Sequence, residues 1–406
     1  RPDEAIASYR RALERQPALL AAHQNLAKTL LDLGRHEEAL SACHATLQFH
    51  PADPDTLVNL GVALEQRGKP GQAADAYRRA IAVKPDAAEA HFNLALVLLG
   101  QGRFREGWQE YAWHWKREGI AGRPFPPAAW DGASLGGRPV FLHAEQGLGD
   151  ELFFLRFVPW LRQKDAGRIV YRAGPKIASI IARTPGIDHV AGPEEMPAPS
   201  DCVFSVGDLP RLLGMERVEQ IPVSATLVPL AAELESMRAR LAEIGPPPYL
   251  GVTWRAGIRH RMNALYKESP LTPIARVLAP LKATVLLLQR HPETGEIAAF
   301  ASALGRPAHD FSALNDDLEA MLALLALIDD YIGVSNTNMH LRAGAGKTAR
   351  VLVPSPPEWR WMAAGGESPW FPGFSVYRQG VDGDWTQALA ALRQDLAGVI
   401  PGSAPA

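Results

Sequence analysis

The chain has 406 residues, 47% hydrophobic and 21% charged; these are the proportions of folded protein, and at this length two or three cores are expected. A formal net charge of −2 leaves no cationic excess to neutralise phosphates, which argues against a nucleic-acid partner. The two cysteines, Cys43 and Cys202, are far apart and outside any CxxC spacing, which argues against a disulfide framework or a zinc site and for a reducing, cytoplasmic compartment.

The first third repeats with a period of 34 residues: Pro17, Pro51 and Pro85 keep that step, as do Gly34, Gly68 and Gly102. Leu26, Leu60 and Leu94 follow it too, each trailed by a small residue (Ala27, Gly61, Ala95). Ala5, Ala39, Ala73 and Gly107 continue the pattern, and so do Tyr9, Cys43, Tyr77 and Tyr111. Small residues at fixed places let paired helices approach closely, while large ones fill the space between neighbouring hairpins. Period and residue types resemble the tetratricopeptide repeat over about residues 1–121, which implies an α superhelix. The pattern opens in mid-repeat at Arg1, not at a methionine, and no leader-like segment is read, so a further portion upstream is expected.

Each repeat carries one asparagine just before its leucine: Asn25, Asn59 and Asn93. An amide offers both donor and acceptor, so a row of them suits an extended peptide backbone of any sequence. The row resembles the asparagine ladder of the O-linked N-acetylglucosamine transferases, which implies a protein or peptide acceptor held in the repeat groove. The plainer alternative is solubility or local helix packing.

Trp108, Tyr111, Trp113 and Trp115 are expected to seal the last hairpin, and Pro124, Pro126 and Pro127 to form a stiff connector. After Trp130 short apolar segments alternate with helical ones. Strands are predicted at 139–144, 168–172, 201–205, 249–254, 284–289, 330–335 and 349–354. A helix is predicted over 151–161, and the apolar run Leu318–Ile328, flanked by Asp316, Asp317, Asp329 and Asp330, reads as a buried helix too short to span a membrane. Such alternation predicts parallel sheets covered on both faces. The run Pro246, Pro247, Pro248 divides the region, so the domains are drawn at 1–121, 122–245 and 246–406, the last two Rossmann-like; such a pair resembles the GT-B arrangement of glycosyltransferases, which periodicity alone does not distinguish from other paired Rossmann-like folds.

Three segments could carry chemistry. In the first, His143 to Asp150, Gly147 and Gly149 allow close backbone approach at a helix start. Asp150, Glu145 and His143 are the candidate proton acceptors of this loop; the Gly149-Asp150 pair resembles that of the heptosyltransferases, which makes Asp150 the first choice of catalytic base and the other two its competitors, with a helix-capping role as the bland alternative. The second, Arg255 to Lys267, gathers Arg255, Arg259, His260, Arg261 and Lys267, cations suited to stabilising a phosphate leaving group or simply a solvated loop. The third, Asp330 to Leu341, is a strand, a polar turn (Ser335, Asn336, Thr337, Asn338) and a helix holding His340, which is either a ligand contact or a structural histidine.

These segments resemble the heptosyltransferases. The resemblance implies that Asp150 is the base, that Lys267 holds a donor phosphate and that the Ser335–His340 turn holds the nucleotide. Ser335 and Asn336 depart from the aspartate and threonine expected there, which bears on donor identity. With Pro356 to Trp361, where Glu358, Trp359 and Arg360 either line a cleft or pack beneath a loop, and with Pro369–Phe371 and Val376–Gln379, nearly the whole chain resembles bacterial TPR-linked glycosyltransferases, a group that includes flagellin-modifying enzymes. That implies an inverting, metal-independent transfer from a nucleotide-sugar co-substrate, with no other cofactor, to a protein Ser or Thr hydroxyl; a scaffold with a silent fold is the alternative. Two lookalikes fail: Gly344–Thr348 imitates a P-loop but leads into a strand, and Asp382-Gly-Asp384 spells a metal motif in a terminal turn.

Overall fold

The computed structural model describes residues 1–117, 125, 130–144, 147–257 and 267–399. Glu145, Arg259, His260, Arg261, Pro124, Pro126 and Pro127 lie outside the described residues. The chain forms two compact units. One comprises Arg1–Pro124, Glu216–Val218 and Ser355–Ala363; the other comprises Phe125–Met215, Glu219–Pro354 and Ala364–Ala406.

Among the described residues the first unit holds seven α-helices, each packed on the next: α1 (Pro2–Arg15), α2 (Leu20–Asp32), α3 (His36–Phe49), α4 (Pro54–Gln66), α5 (Pro70–Val83), α6 (Ala88–Gly100) and α7 (Phe104–Tyr111). The glycine period has a local cause. Gly34, Gly68 and Gly102 have φ of 70°, 66° and 77°, a left-handed conformation that closes a helix without a Cβ penalty. The residue after each glycine then donates its N–H back into the helix: Arg35 to Leu30, Lys69 to Leu64 and Arg103 to Leu98, each at 2.9 Å. The periodic leucines and small residues form the core, with Leu26, Leu60, Leu94, Ala39, Ala73, Cys43 and Tyr77 buried.

The segment 355–363 belongs to this unit. Trp359 stands edge-on to Trp108 at 5.4 Å, the Ala363 N–H donates to Gly100 O at 2.7 Å, and Arg360 pairs with Glu358 at 2.5 Å while its guanidinium covers the Trp359 ring. Of the two readings of Glu358–Arg360, packing is the one observed.

The second unit contains β1 (Val140–His143), α8 (Leu148–Phe154), α9 (Val158–Gln163), β2 (Ile169–Arg172), α10 (Ala178–Ala182), β3 (His189–Val190), β4 (Cys202–Ser205), α11 (Leu209–Leu212) and α12 (Ala231–Ile244). It continues with β5 (Tyr249–Thr253), β6 (Arg255–Ala256), β7 (Lys267–Glu268), α13 (Leu271–Leu278), β8 (Thr284–Leu287), α14 (Glu296–Leu304), β9 (His309–Asp310), α15 (Leu318–Leu327), β10 (Asp330–Val334), α16 (Thr337–Gly344), β11 (Arg350–Val353), β12 (Ser375–Arg378) and α17 (Thr386–Val399). All seven predicted strands are present, trimmed by a residue or two. The predicted helix over 151–161 is instead α8, a 3-10 turn at Leu155–Phe157 and α9; Pro159 has no N–H to give to a continuous helix.

Two parallel sheets result, with orders β3-β2-β1-β4 and β12-β11-β10-β5-β8-β9. Counted from its first strand, each sheet runs out to one side and then restarts on the other. The restart falls between β1 and β4 in the first sheet and between β5 and β10 in the second. Leu250, Val252 and Ile332 on one face of the larger sheet pack with Ile274 and Leu278 of α13, Phe300 of α14 and Leu392 of α17. Helix α15 is almost wholly buried, as expected for the run 318–328. Its carboxyl end is capped by buried Arg342, which donates to Leu325 O at 2.5 Å, Ile328 O at 2.8 Å and Asp329 O at 3.0 Å.

Gly61→Ala measures how tightly the repeat hairpins close. In an open helix alanine is about 1 kcal/mol better than glycine. Here a Cβ would stand 2.3 Å from Cε1 of Tyr77, whose ring is fully buried, and overpacking costs about 1–3 kcal/mol. The clash is the larger effect, so calorimetry should find the variant less stable; an unchanged or raised melting temperature would show that the ring yields.

Candidate functional site

In open parallel sheets ligands bind outside the carboxyl ends of the strands, where the order reverses, because the two departing connections leave a crevice between them. Both reversals in the second unit coincide with predicted segments. At the first, β1 ends at His143 and α8 begins at Gly147, whose backbone is extended (φ −138°, ψ 153°). Asp150 sits in the first turn of α8, and its carboxylate folds back over that start: a Cβ on Gly147 would lie 3.3 Å from Asp150 Oδ2. His143 is buried, its ring 5.7 Å from that of Phe125 and its Nδ1 3.2 Å from Ala144 O.

At the second reversal, β5 leads into the β6–β7 hairpin, where Lys267 stands opposite Ala256 and Arg255 opposite Glu268. β10 ends beside buried Ser335, and Asn336 caps α16 by accepting the Met339 N–H at 3.2 Å. Asn338 and His340 are buried and Thr337 is the first residue of the helix.

The two reversals meet. A Cβ on Gly149 would stand 3.2 Å from His340 Cδ2 and 3.9 Å from the Thr337 Cα, so the start of α8 rests on the start of α16 where a larger residue would be crowded. Behind this contact the His340 ring lies edge-on to Phe153 at 6.0 Å and to Phe371 at 5.4 Å. Arg156, fully buried, covers Phe153 at 4.2 Å and donates to Trp370 O at 2.8 Å and Ser224 Oγ at 3.1 Å. Arg183 with Glu319 (2.6 Å) and Lys176 with Asp316 (3.0 Å) tie α10 to the approach of α15.

Arg255 is the predicted residue whose surroundings differ most from a ligand site. It is buried and grips Glu296 through Nη1 and Nη2, at 2.5 and 3.0 Å, and Glu296 also receives the Trp254 indole N–H at 3.3 Å. Burial works to raise the Glu296 carboxyl, but the Arg255 pair and the Glu293 N–H outweigh it and hold it below its ordinary value. The partner lies 41 residues away in sequence, beyond the reach of a loop-level reading.

In the repeats, Asn25, Asn59 and Asn93 stand on α2, α4 and α6, which pack in succession. Asn25 is exposed and the other two half-buried. Among the described residues no hydrogen bond involves their side-chain amides. Also among the described residues, no group of three or more His, Cys, Asp or Glu could hold a metal, and no helix is long and apolar enough to cross a membrane.

Tetratricopeptide-repeat family models match residues 1–57 and 58–111. The chain is similar to Protein FlbA of Caulobacter vibrioides, 26% identical over 413 aligned residues covering 96% of this chain and 63% of FlbA; it thus spans less than two thirds of that relative. Among solved structures it is similar to a glycosyl transferase family 9 protein from Veillonella parvula, at 10% identity over 61% of this chain and 88% of that one, with a TM-score of 0.49. The repeats are similar to MamA (26% identity, 28% of this chain, 66% of MamA, TM-score 0.27). They are also similar to YrrB, a TPR protein with an unusual peptide-binding site (21% identity, 29% of this chain, 60% of YrrB, TM-score 0.26).

Glu151, the neighbour of Asp150, escaped the sequence reading because nothing local marks it as buried. It turns away to the β2 side and accepts the Gly174 N–H at 3.0 Å. Burial raises its carboxyl from 4.5 to about 7, against the pull of Gly174 and Tyr171. The unfolded chain releases this proton first, so between those two pH values the folded protein binds more protons and loses stability as pH rises. The loss is on the order of 3 kcal/mol. Urea unfolding of wild type and Glu151→Gln from pH 4 to 8 should show the wild type falling relative to the variant across that window; a constant difference would remove the argument.

Proposed function

We propose that the chain is a glycosyltransferase whose repeats hold a protein acceptor while the α/β unit moves a sugar from a nucleotide-sugar to a Ser or Thr hydroxyl. The observation that carries this reading is the contact of the two strand-order reversals, Gly149 on His340 and Thr337, because it sets a carboxylate-bearing helix start beside the proposed nucleotide turn. The tetratricopeptide matches support the acceptor half of the reading.

In this mechanism the acceptor oxygen attacks the anomeric carbon from the face opposite the nucleotide, and its proton passes to the Asp150 carboxylate. The bond from the anomeric carbon to the phosphate oxygen breaks, and the electron pair leaves with the nucleotide. Lys267 and the backbone of the Ser335–Thr337 turn stabilise that leaving group, a task a fixed cation performs best out of bulk water. No metal enters the proposal. A silent scaffold is favoured by one observation, the neutralisation of Arg255 by Glu296, which takes a cation away from the proposed donor site.

Asp150→Asn keeps the side chain's shape and removes the proton acceptor, so transfer should fall by about 10² to 10⁴-fold. Nucleotide binding, followed by thermal shift with UDP, GDP, ADP and CMP, should persist. Activity within a few-fold of wild type would pass the role to Glu145 or His143, and no shift with any nucleotide would favour the scaffold.

The acceptor half is tested separately. If Asn25, Asn59 and Asn93 each bond an extended acceptor backbone, each contributes about 1 kcal/mol, and the triple alanine variant should raise the acceptor KM by about a hundredfold. Donor hydrolysis should be little changed. A well-folded triple variant with unaltered acceptor kinetics would end the ladder proposal.

A further inference from the structure

Tyr331 lies on β10 directly opposite Gly251 of β5. A Cβ at Gly251 would stand 3.1 Å from the Tyr331 ring and 2.8 Å from Ile328, so the glycine opens room for the ring to lie along β5 toward its carboxyl end. The ring is fully buried, yet its hydroxyl donates to Thr253 Oγ1, the last residue of β5, at 2.9 Å. The same oxygen accepts from Asn336 Nδ2 at 2.9 Å and bonds the Asn338 side chain. Asn336 Oδ1 lies 3.2 Å away as a second acceptor for the hydroxyl proton, so the phenol is surrounded by partners on Thr253, Asn336 and Asn338. The Asn336 amide is thereby fixed, Nδ2 to Tyr331 and Oδ1 to the Met339 N–H.

This network joins the two chain segments that leave the larger sheet in opposite directions. Thr253 immediately precedes the path to the Lys267 hairpin, and Asn336 begins the turn into α16. The strands are unusually close here: a Cβ on Gly333 would lie 2.7 Å from Thr253 O. Resting on the donor-site reading above, we propose that Tyr331 is a positioning residue, its buried hydroxyl locking into one register the ends of β5 and β10, from which the segments that receive the nucleotide-sugar phosphates depart. Tyr331 touches no ligand in this proposal. It acts through Asn336 and Thr253, and its removal leaves the half-buried Asn336 and buried Asn338 amides free to turn, so the ends of β5 and β10 lose their fixed register.

The test is nucleotide affinity, measured by calorimetry with the tightest binder among UDP, GDP, ADP and CMP. Tyr331→Phe should weaken binding by about tenfold, the equivalent of one net hydrogen bond. Combined with Asn336→Ala, it should add little further loss, because both act through one network. Tyr377→Phe is the control: its hydroxyl bonds Arg350 and Asp395 at another network, and its loss should leave affinity unchanged even where stability falls. Should Tyr331→Phe fail to fold, Thr253→Val removes the same bond with a near-isosteric side chain and should reproduce the weakening. Unchanged affinity in a folded Tyr331→Phe or Thr253→Val protein, or strict additivity with Asn336→Ala, overturns the inference while leaving the donor site standing. A wild-type chain that binds none of the four nucleotides sinks both.

Discussion

Two parallel strands that neighbour in space but not in sequence, β5 and β10, impose the constraint on which the polar end of the larger sheet depends. Each must hand its chain to a right-handed crossover, and the crossovers leave on opposite sides. No connection can then cover the carboxyl ends of this pair. The backbone there ends in polar residues, Ser335 and Asn336 on one side and Arg255 on the other, and buried polar groups must be paired. Tyr331, Gln289 and Glu296 do that pairing, Gln289 by bonding the Trp254 and Arg255 backbone. The smaller sheet repeats the arrangement between β1 and β4 with fewer strands.

What could be read in advance follows the range of the interactions concerned. The 34-residue period was legible because each glycine answers to a purely local demand, one left-handed residue per hairpin. The seven strands were legible because both faces of a parallel sheet are buried and the sequence is apolar throughout. Strands β3 and β9 span two residues each and lie at or near an edge, too short to carry a pattern. Arg255 read as a ligand cation because its loop was rich in charge; only the fold brings Glu296 to it. Tyr331 has its own signal in the sequence, since a glycine inside the apolar strand Tyr249–Thr253 marks a place where something approaches the backbone closely.

Arginine in this chain is as much a structural residue as a charged one. Arg156, Arg255 and Arg342 are all buried, and two of them bond mainly to carbonyl oxygens rather than to carboxylates. A planar guanidinium with five donors collects several such oxygens at once, which suits the end of α15 and the aromatic bed under His340. Burial lowers the Arg342 guanidinium to about 10, still charged at neutral pH. The nearly balanced formal charge therefore understates how unevenly cations are distributed between solvent and core.

The repeat unit does not end where the repeats end. Because residues 355–363 fold as part of it, with Trp359, Arg360 and Trp361 buried, the chain is a poor candidate for simple dissection. Cutting it between the last repeat and β1 would release an α/β fragment carrying two large indoles and a paired arginine with nothing to cover them, and repeats lacking the covering of Trp108. The two halves have in that sense been made inseparable by about nine residues of chain, and any shuffling of this repeat array onto another α/β unit would have to carry that segment along.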